Sequence, residues 1–363
     1  MSRFVLGPLA GLELEHYLRG GAPVFVVDAA VAAHHPDWLD QIQQGCTRLE
    51  SPTLVLTGGE GVKTLARLGL IYDWLAARSV GRDGTVVGVG GGTVLDLVGL
   101  AAATWKRGVN FVALPTTLLA MVDAAIGGKT AINAAGLKNP VGAFHPASGI
   151  LADCGFLTSL PLGAWRDGMA ELVKTALIGD ARLFADLHRD RAAIAALLGD
   201  RTAAPDAPVP GIIGALPWAE WIGRAARVKA DVVNRDFREL GPRRALNLGH
   251  TLGHAVEAWS QDTAAPLSHG QAVAIGMAVV FRVAAERGTC PLPIAVQVIE
   301  ILEACGLPVS CSCPPDPVLE VLISGDKKAV AGRGVRWVLP QEVGRMDLDG
   351  RVTTAELRKW LDD

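Results

Sequence analysis

Three of the chain's eight histidines fall between positions 250 and 269, in Asn247-Leu-Gly-His250-Thr-Leu-Gly-His254 and at Ser268-His269-Gly270. Helical periodicity running on through Ala255 and Val256 puts His250 and His254 at i and i+4, on one face of one helix. His269 can fold back from the turn that follows. Two imidazoles and a carboxylate from elsewhere give Zn2+ three protein ligands and leave a fourth position for substrate, as in a catalytic zinc site. The same spacing also suits a polar pair at a helix N-terminus, with Asn247 and Gly249 making the turn. Glu171, in Gly168-Met-Ala-Glu171-Leu-Val-Lys174, is the natural third ligand, because a carboxylate among apolar neighbours is costly to bury unpaired. A surface ion pair between Glu171 and Lys174 at i, i+3 is the alternative.

A second chemistry-bearing stretch is Gly90-Gly91-Gly92, which lets backbone approach a pyrophosphate and offers it the N-terminus of the following helix. Three glycines also make a tight strand-to-helix turn with no ligand at all. Asp96, one turn on, can reach a ribose or an amide, or simply favour the helix dipole. Farther along, Arg107, Asp123, Lys129, Lys138 and Asn139 stand among Gly, Ala and Ile. Charges in so apolar a setting read as an anion pocket rather than a solvated face.

The elements that must position these residues change character along the chain. Apolar runs at Pro23–Asp28, Pro52–Thr57, Thr85–Val89 and Phe111–Pro115 alternate with glycine-rich turns and helical patterns at Leu65–Leu75 and Val94–Thr104, the texture of a doubly wound parallel sheet. From about Phe156 helical patterns take over: Gly163–Ile178, Arg182–Leu198, Trp218–Asn234, Asn247–Trp259, Gly270–Glu286 and Pro293–Cys305. Residues 199–217, rich in Pro, Ala and Gly, read as an exposed loop, and Gly334–Leu339 as part of a short hairpin. The expectation is an α/β protein with a Rossmann-like parallel-sheet domain over 1–155 and a mostly α-helical metal- and substrate-binding domain over 156–363. The active site is expected in the cleft between them.

At 363 residues, half hydrophobic and a fifth charged, the chain has ample apolar material for large cores, which excludes a disordered class. A net charge of −3 argues against nucleic acid or an anionic membrane as a partner, so any bound anion must meet locally clustered cations. Met1-Ser-Arg-Phe-Val-Leu-Gly-Pro lacks the pattern of a signal peptide, and no membrane-length apolar run occurs; a soluble, cytoplasmic protein is expected. Six scattered cysteines read as reduced thiols.

Aligned in order, these blocks resemble the sugar-phosphate cyclase superfamily and, within it, the 3-dehydroquinate synthase family. The likeness runs from Gly59-Glu60-x-x-Lys63 through Gly90-Gly91-Gly92-x-x-x-Asp96, Arg107-Gly108, Pro115-Thr116-Thr117-Leu-Leu, Val122-Asp123, Gly127-Gly128-Lys129-Thr-Ala and Lys138-Asn139. It continues with Met169-Ala-Glu171-x-x-Lys174, Lys229-Ala230, Arg243, Asn247-x-Gly-His250-x-x-Gly-His254-Ala, His269-Gly270 and Asp326-Lys327-Lys328. The resemblance implies an NAD- and Zn2+- or Co2+-dependent conversion of 3-deoxy-arabino-heptulosonate 7-phosphate to 3-dehydroquinate and phosphate, the cofactor being reduced and reoxidised within each turnover, in a homodimer. It implies that Glu171, His250 and His269 hold the metal and that His254 handles a proton. Lys174, Lys129, Arg107 and Asp123 would act at the reacting sugar, and Lys138, Asn139, Lys229, Arg243, Asn247, Lys327 and Lys328 would bind it. Asp28, Glu60, Lys63, Gly91, Gly92, Asp96, Thr116 and Thr117 would line the NAD site. Departures from the family pattern include Ala30 where Asn is common, Phe237 in an otherwise acidic stretch before Arg243, and Gln271 in place of Glu. They leave open a sister cyclase acting on an amino analogue of the sugar acid or on sedoheptulose 7-phosphate; a polyol dehydrogenase fits the cation cluster poorly, since a polyol offers no anion to bind.

Overall fold

The structure, a computed structural model, describes residues 2–8, 14–20, 22–44, 52–200, 202–312, 314–324 and 335–361. Two compact units divide the chain, one comprising Met1–Leu160 with Pro210–Ala226, the other Pro161–Val209 with Arg227–Asp363.

The first unit is built on strands β1 (Arg3–Leu6), β2 (Val24–Asp28), β3 (Thr53–Leu56), β4 (Thr85–Gly90), β5 (Asn110–Pro115), β6 (Lys129–Ala134), β7 (Leu137–Phe144) and β8 (Gly149–Ala152). Six of these form one parallel sheet in the order β1-β8-β5-β4-β2-β3, while β6 and β7 make a separate antiparallel ribbon. Helices α1 (Ala29–His34), α2 (Pro36–Gln44), α3 (Leu65–Ala77) and α4 (Gly92–Thr104) connect or follow the strands. Every residue of β4 is buried, as expected of a central parallel strand covered on both faces. Registers of Gly90 with Pro115, Val27 with Val89 and Asp28 with Leu56 bring the carboxyl ends of β2 to β5 level, the edge at which open α/β sheets take ligands.

Four strands escape the sequence reading. β1 and β8 have only four residues each, too few for a pattern, and β6 and β7 show no hydrophobic alternation and include Pro140 and Gly142. A two-stranded ribbon tolerates such residues because one side of each strand needs no ladder partner.

The second unit is mostly helical: α5 (Leu162–Gly179), α6 (Ala181–Arg189) and α7 (Arg191–Leu198) come first. The chain then lends α8 (Ile212–Ala215) and the first half of α9 (Trp218–Arg235) to the first unit. Next come α10 (His250–Ser260), α11 (His269–Glu286), α12 (Leu292–Ala304) and α13 (Asp316–Ser324), a hairpin of β9 (Trp337–Glu342) and β10 (Arg345–Gly350), and α14 (Thr354–Leu361). The single helix expected over 182–198 is two, broken at Asp190 (φ −92°, ψ 10°), whose carboxylate is tied to Arg189. Nor is 199–217 an open loop throughout: Val209 and Ile212 are buried, and Trp218 Nε1 donates to the Ile212 carbonyl at 2.6 Å. Cys154, Cys290 and Cys305 are free thiols.

Helix α11 is the core of this unit, its residues from Gly270 to Ala284 nearly all buried, with α5, α10, α12 and α14 packed round it. Its crossing with α10 is set by glycine. A Cβ on Gly276 would lie 1.9 Å from the Gly249 carbonyl oxygen, and one on Gly253 3.0 Å from that of Ala272. Gly249 itself, at φ 76°, turns the chain into α10. Backbone-to-backbone approach of this kind leaves no room for a side chain.

Candidate metal centre and anion-binding residues

In the second unit, three helices supply one metal-sized constellation. Glu171 lies in the middle of α5, His250 is the first residue of α10 and His269 the first of α11. One ligand atom from each falls within 4.8 Å of the other two. Glu171 Oε1 is 3.6 Å from His250 Nε2 and 3.7 Å from His269 Nε2. Bonds of about 2.1 Å at tetrahedral angles would separate ligand atoms by about 3.4 Å. Glu171 Oε1 is buried with no hydrogen-bond partner among the described residues, a state that normally costs about 1–3 kcal/mol and that a cation between the three groups would relieve. The residues therefore fit a divalent ion.

The outer faces of the imidazoles are held in the tautomer that such an ion requires. His250 Nδ1 donates to the Leu248 carbonyl at 3.1 Å, and His269 Nδ1 donates to Glu257 Oε2 at 3.2 Å. Both Nε2 lone pairs are thereby left facing Glu171. Glu257, one turn beyond His254, is a functional residue that spacing alone does not reveal, since its partner lies in another helix.

The surface-pair reading of Glu171 and Lys174 fails, because both side chains are 1% exposed. Their ion pair is internal, on the Oε2 side of the carboxylate. His254 lies beside the trio, its ring edge-to-face with that of His250 at 5.3 Å and tilted against that of His269 at 6.1 Å, without belonging to the ligand set.

Two anion-binding candidates of this unit, Arg243 and Lys229, are also internal. Arg243, 2% exposed, donates from Nη1 to the Phe237 carbonyl at 2.6 Å. That bond uses backbone, so the Phe237 departure does not disturb it. Asp236 folds the preceding loop by accepting from the amides of Leu240, Gly241 and Arg243 at 3.0, 2.7 and 3.1 Å. Asn247 Nδ2 donates to Glu239 Oε1 at 2.7 Å, with Glu239 itself at φ 61°. Lys229 is buried on α9. Lys327 and Lys328 lie outside the described residues.

In the first unit the glycine turn opens α4 at Gly92, and no side chain caps that helix. A Cβ on Gly91 would sit 3.1 Å from Thr117 Cγ2 and one on Gly92 2.8 Å from Ala124 Cβ, so the glycines serve packing as well as access. Thr116 is buried beside them on the same strand edge. Asp28 caps α1, accepting from the Ala30 amide at 3.0 Å; burial raises its carboxyl above the ordinary range and that hydrogen bond offsets part of the rise.

Lys63, buried after the turn that Glu60 begins, donates to Asp96 Oδ2 at 2.7 Å and to Asn139 Oδ1 at 2.5 Å. Asn139, at φ 55°, gives its amide N–H to Asn133 Oδ1 at 2.9 Å, and Asn133 Nδ2 reaches Glu60 Oε1 at 2.8 Å. One network thus joins Glu60, Lys63, Asp96 and Asn139, residues assigned by resemblance partly to cofactor and partly to sugar. Asn133 is its unforeseen member, hidden because β6 and β7 read as loop. Lys129 and Lys138 stand exposed on the ribbon, and Asp123 lies on the turn Ala120–Ala124. Arg107 is exposed beyond the C-terminus of α4, a helix of 13 residues and so about 20 Å long, at the opposite end from Gly92.

Comparison with known proteins narrows the reading. A family model described as 3-dehydroquinate synthase N-terminal matches residues 53–167, and one described as 3-dehydroquinate synthase C-terminal matches residues 168–329. The chain is 38% identical to a 3-dehydroquinate synthase of Xanthomonas campestris pv. campestris (strain 8004) over 361 residues, which is 97% of this chain and 92% of the relative. It is 40% identical to one of Prochlorococcus marinus (strain MIT 9303), covering 86% and 80%. Among solved structures, ValA, a 2-epi-5-epi-valiolone synthase from Streptomyces hygroscopicus subsp. jinggangensis 5008 with NAD+ and Zn2+ bound, aligns with a TM-score of 0.82 at 30% identity, over 99% of this chain and 96% of that one.

Proposed function

The chain belongs to the 3-dehydroquinate synthase family, and on that premise we propose how its residues divide the work. The protein is an NAD- and divalent-metal-dependent lyase and cyclase that converts 3-deoxy-arabino-heptulosonate 7-phosphate to 3-dehydroquinate and phosphate. The observation that carries the site assignment is the buried, hydrogen-bond-free oxygen of Glu171 facing two imidazole nitrogens.

Glu171, His250 and His269 would hold Zn2+ or Co2+, which would supply polarisation of the reacting hydroxyl, and a bound nicotinamide would supply reversible hydride acceptance. His254, adjacent to the trio but outside it, takes and returns the proton of that hydroxyl at a ring nitrogen. Lys174 balances the buried Glu171 carboxylate and presents the substrate with a fixed positive charge. Arg243 and Asn247, oriented by Phe237 and Glu239, bind the substrate carboxylate together with Lys229. Lys129, Lys138 and the Lys327 and Lys328 pair draw the phosphate, and Asp123 fixes a sugar hydroxyl. Gly91, Gly92, Thr116, Thr117, Asp28, Glu60, Lys63 and Asp96 form the NAD site, supported by the uncapped start of α4. The working form is a cytoplasmic homodimer with no nucleic-acid or membrane partner, in keeping with a negative net charge and with no described helix long and apolar enough to cross a membrane.

The test is phosphate release with NAD+ and Zn2+, offering the seven-carbon keto-acid phosphate, its amino analogue and sedoheptulose 7-phosphate in parallel. Release from the keto-acid without net NADH is expected. Release only from another sugar would move the protein to a sister cyclase, a reading to which the likeness to ValA lends support. Glu171→Gln and His250→Ala should each lose bound metal and turnover; full activity in either removes the metal assignment.

A further inference from the structure

The first turn of α11 must be placed accurately for His269 to meet Glu171, yet His269 is the helix's first residue, where a helix is least constrained. Ser268 caps it, its side chain accepting from the Gln271 amide while Gln271 Oε1 accepts from the Ser268 amide. That box fixes the turn internally but ties it to nothing else.

The tie comes from Asp167. Its Oδ1 accepts from the Ser268 hydroxyl at 2.5 Å and from the Gly270 amide at 3.1 Å, so a single carboxylate oxygen grips the residues on both sides of His269. Asp167 lies four residues before Glu171 on α5, on the same face of that helix. A Cβ on Gly270 would fall 2.3 Å from Asp167 Cα, so α11 begins directly against α5 and only glycine permits it. The helix that supplies one ligand therefore also fixes the backbone that supplies another.

We propose that Asp167 is a positioning residue of the metal centre, acting through Ser268 and Gly270 to set His269 against Glu171. It touches neither ion nor substrate. The inference rests on the metal reading above and adds a residue that no ligand pattern would select.

The experiment titrates Zn2+ and Co2+ into metal-free full-length protein and records the visible spectrum of the Co2+ form, which reports ligand geometry without turnover. In Asp167→Ala the Zn2+ dissociation constant should rise roughly 10- to 100-fold and the Co2+ bands should shift, as when other outer partners of metal-binding histidines are removed. Asp167→Asn keeps an acceptor oxygen with two lone pairs for the same two donors and should stay within about threefold of wild type with an unshifted spectrum. Should Asp167→Ala not fold, Ser268→Gly carries the test: glycine caps a helix within a few tenths of a kcal/mol of serine, while the hydroxyl on Asp167 is lost, so the bands should still shift. Wild-type affinity and spectrum in Asp167→Ala or Ser268→Gly, or an Asp167→Asn as impaired as Asp167→Ala, would overturn the proposal. A wild-type chain that binds neither ion would remove the metal reading itself.

Discussion

Lys63 and Lys174 are both buried ammonium groups, and each is held by a carboxylate, Asp96 in one case and Glu171 in the other. An ion removed from water survives only with such a partner, and truncating one member exposes how much depended on it. Lys63→Met keeps the stem and deletes the donor to Asp96 and Asn139. NAD+ affinity should fall roughly 10- to 100-fold, equivalent to about 1.5–3 kcal/mol for a hydrogen bond to a charged group. Calorimetric titration with NAD+ checks this, and an unchanged dissociation constant would take the network out of the cofactor site. At this scale the candidate ligands were legible in the sequence, because His and Glu carry their chemistry in their type. Glu257, Asp167, Glu239 and Asn133 were not: each works by holding a neighbour that is distant in sequence or hidden in an unrecognised strand.

Between elements, glycine decides how near α10 and α11 can lie, and hence how near His250 lies to His269. Gly276→Ala would set a methyl 1.9 Å from the Gly249 carbonyl oxygen, which only separation of the helices relieves. A loss of about 1–3 kcal/mol is expected, on the scale of overpacked cores, together with weaker Zn2+ binding. Gly69→Ala in α3, where the added carbon meets nothing within 4 Å, should instead stabilise by about 0.4–1 kcal/mol. Thermal unfolding of the two variants side by side separates steric contact from backbone entropy; equal shifts would remove the packing argument. Long periodic helices such as α5, α9 and α11 announce themselves in sequence. Strands β1 and β8, the β6–β7 ribbon and the break at Asp190 do not, since each depends on partners that no local pattern displays.

For the molecule as a whole, metal that binds only the folded chain must stabilise it. At a free ion concentration of 1,000 times the dissociation constant the gain is about 4 kcal/mol, so chelation by EDTA should lower the Tm of the helical unit by roughly 8–16 °C. Differential scanning calorimetry with and without EDTA measures it, and an unmoved transition would mean no tightly held ion. Composition foretold an α/β half and a helical half. It did not foretell that Pro210–Ala226 returns to the first unit, because Pro, Ala and Gly mask the buried apolar residues Ile212 and Trp218 within the segment. The internal pairing of Lys174 with Glu171 bears on how the protein is made. A newly synthesised chain can close its interior around that pair with no ion at hand, so folding need not wait for metal. Loading then becomes a separate, later event, governed by which divalent ion the surroundings supply.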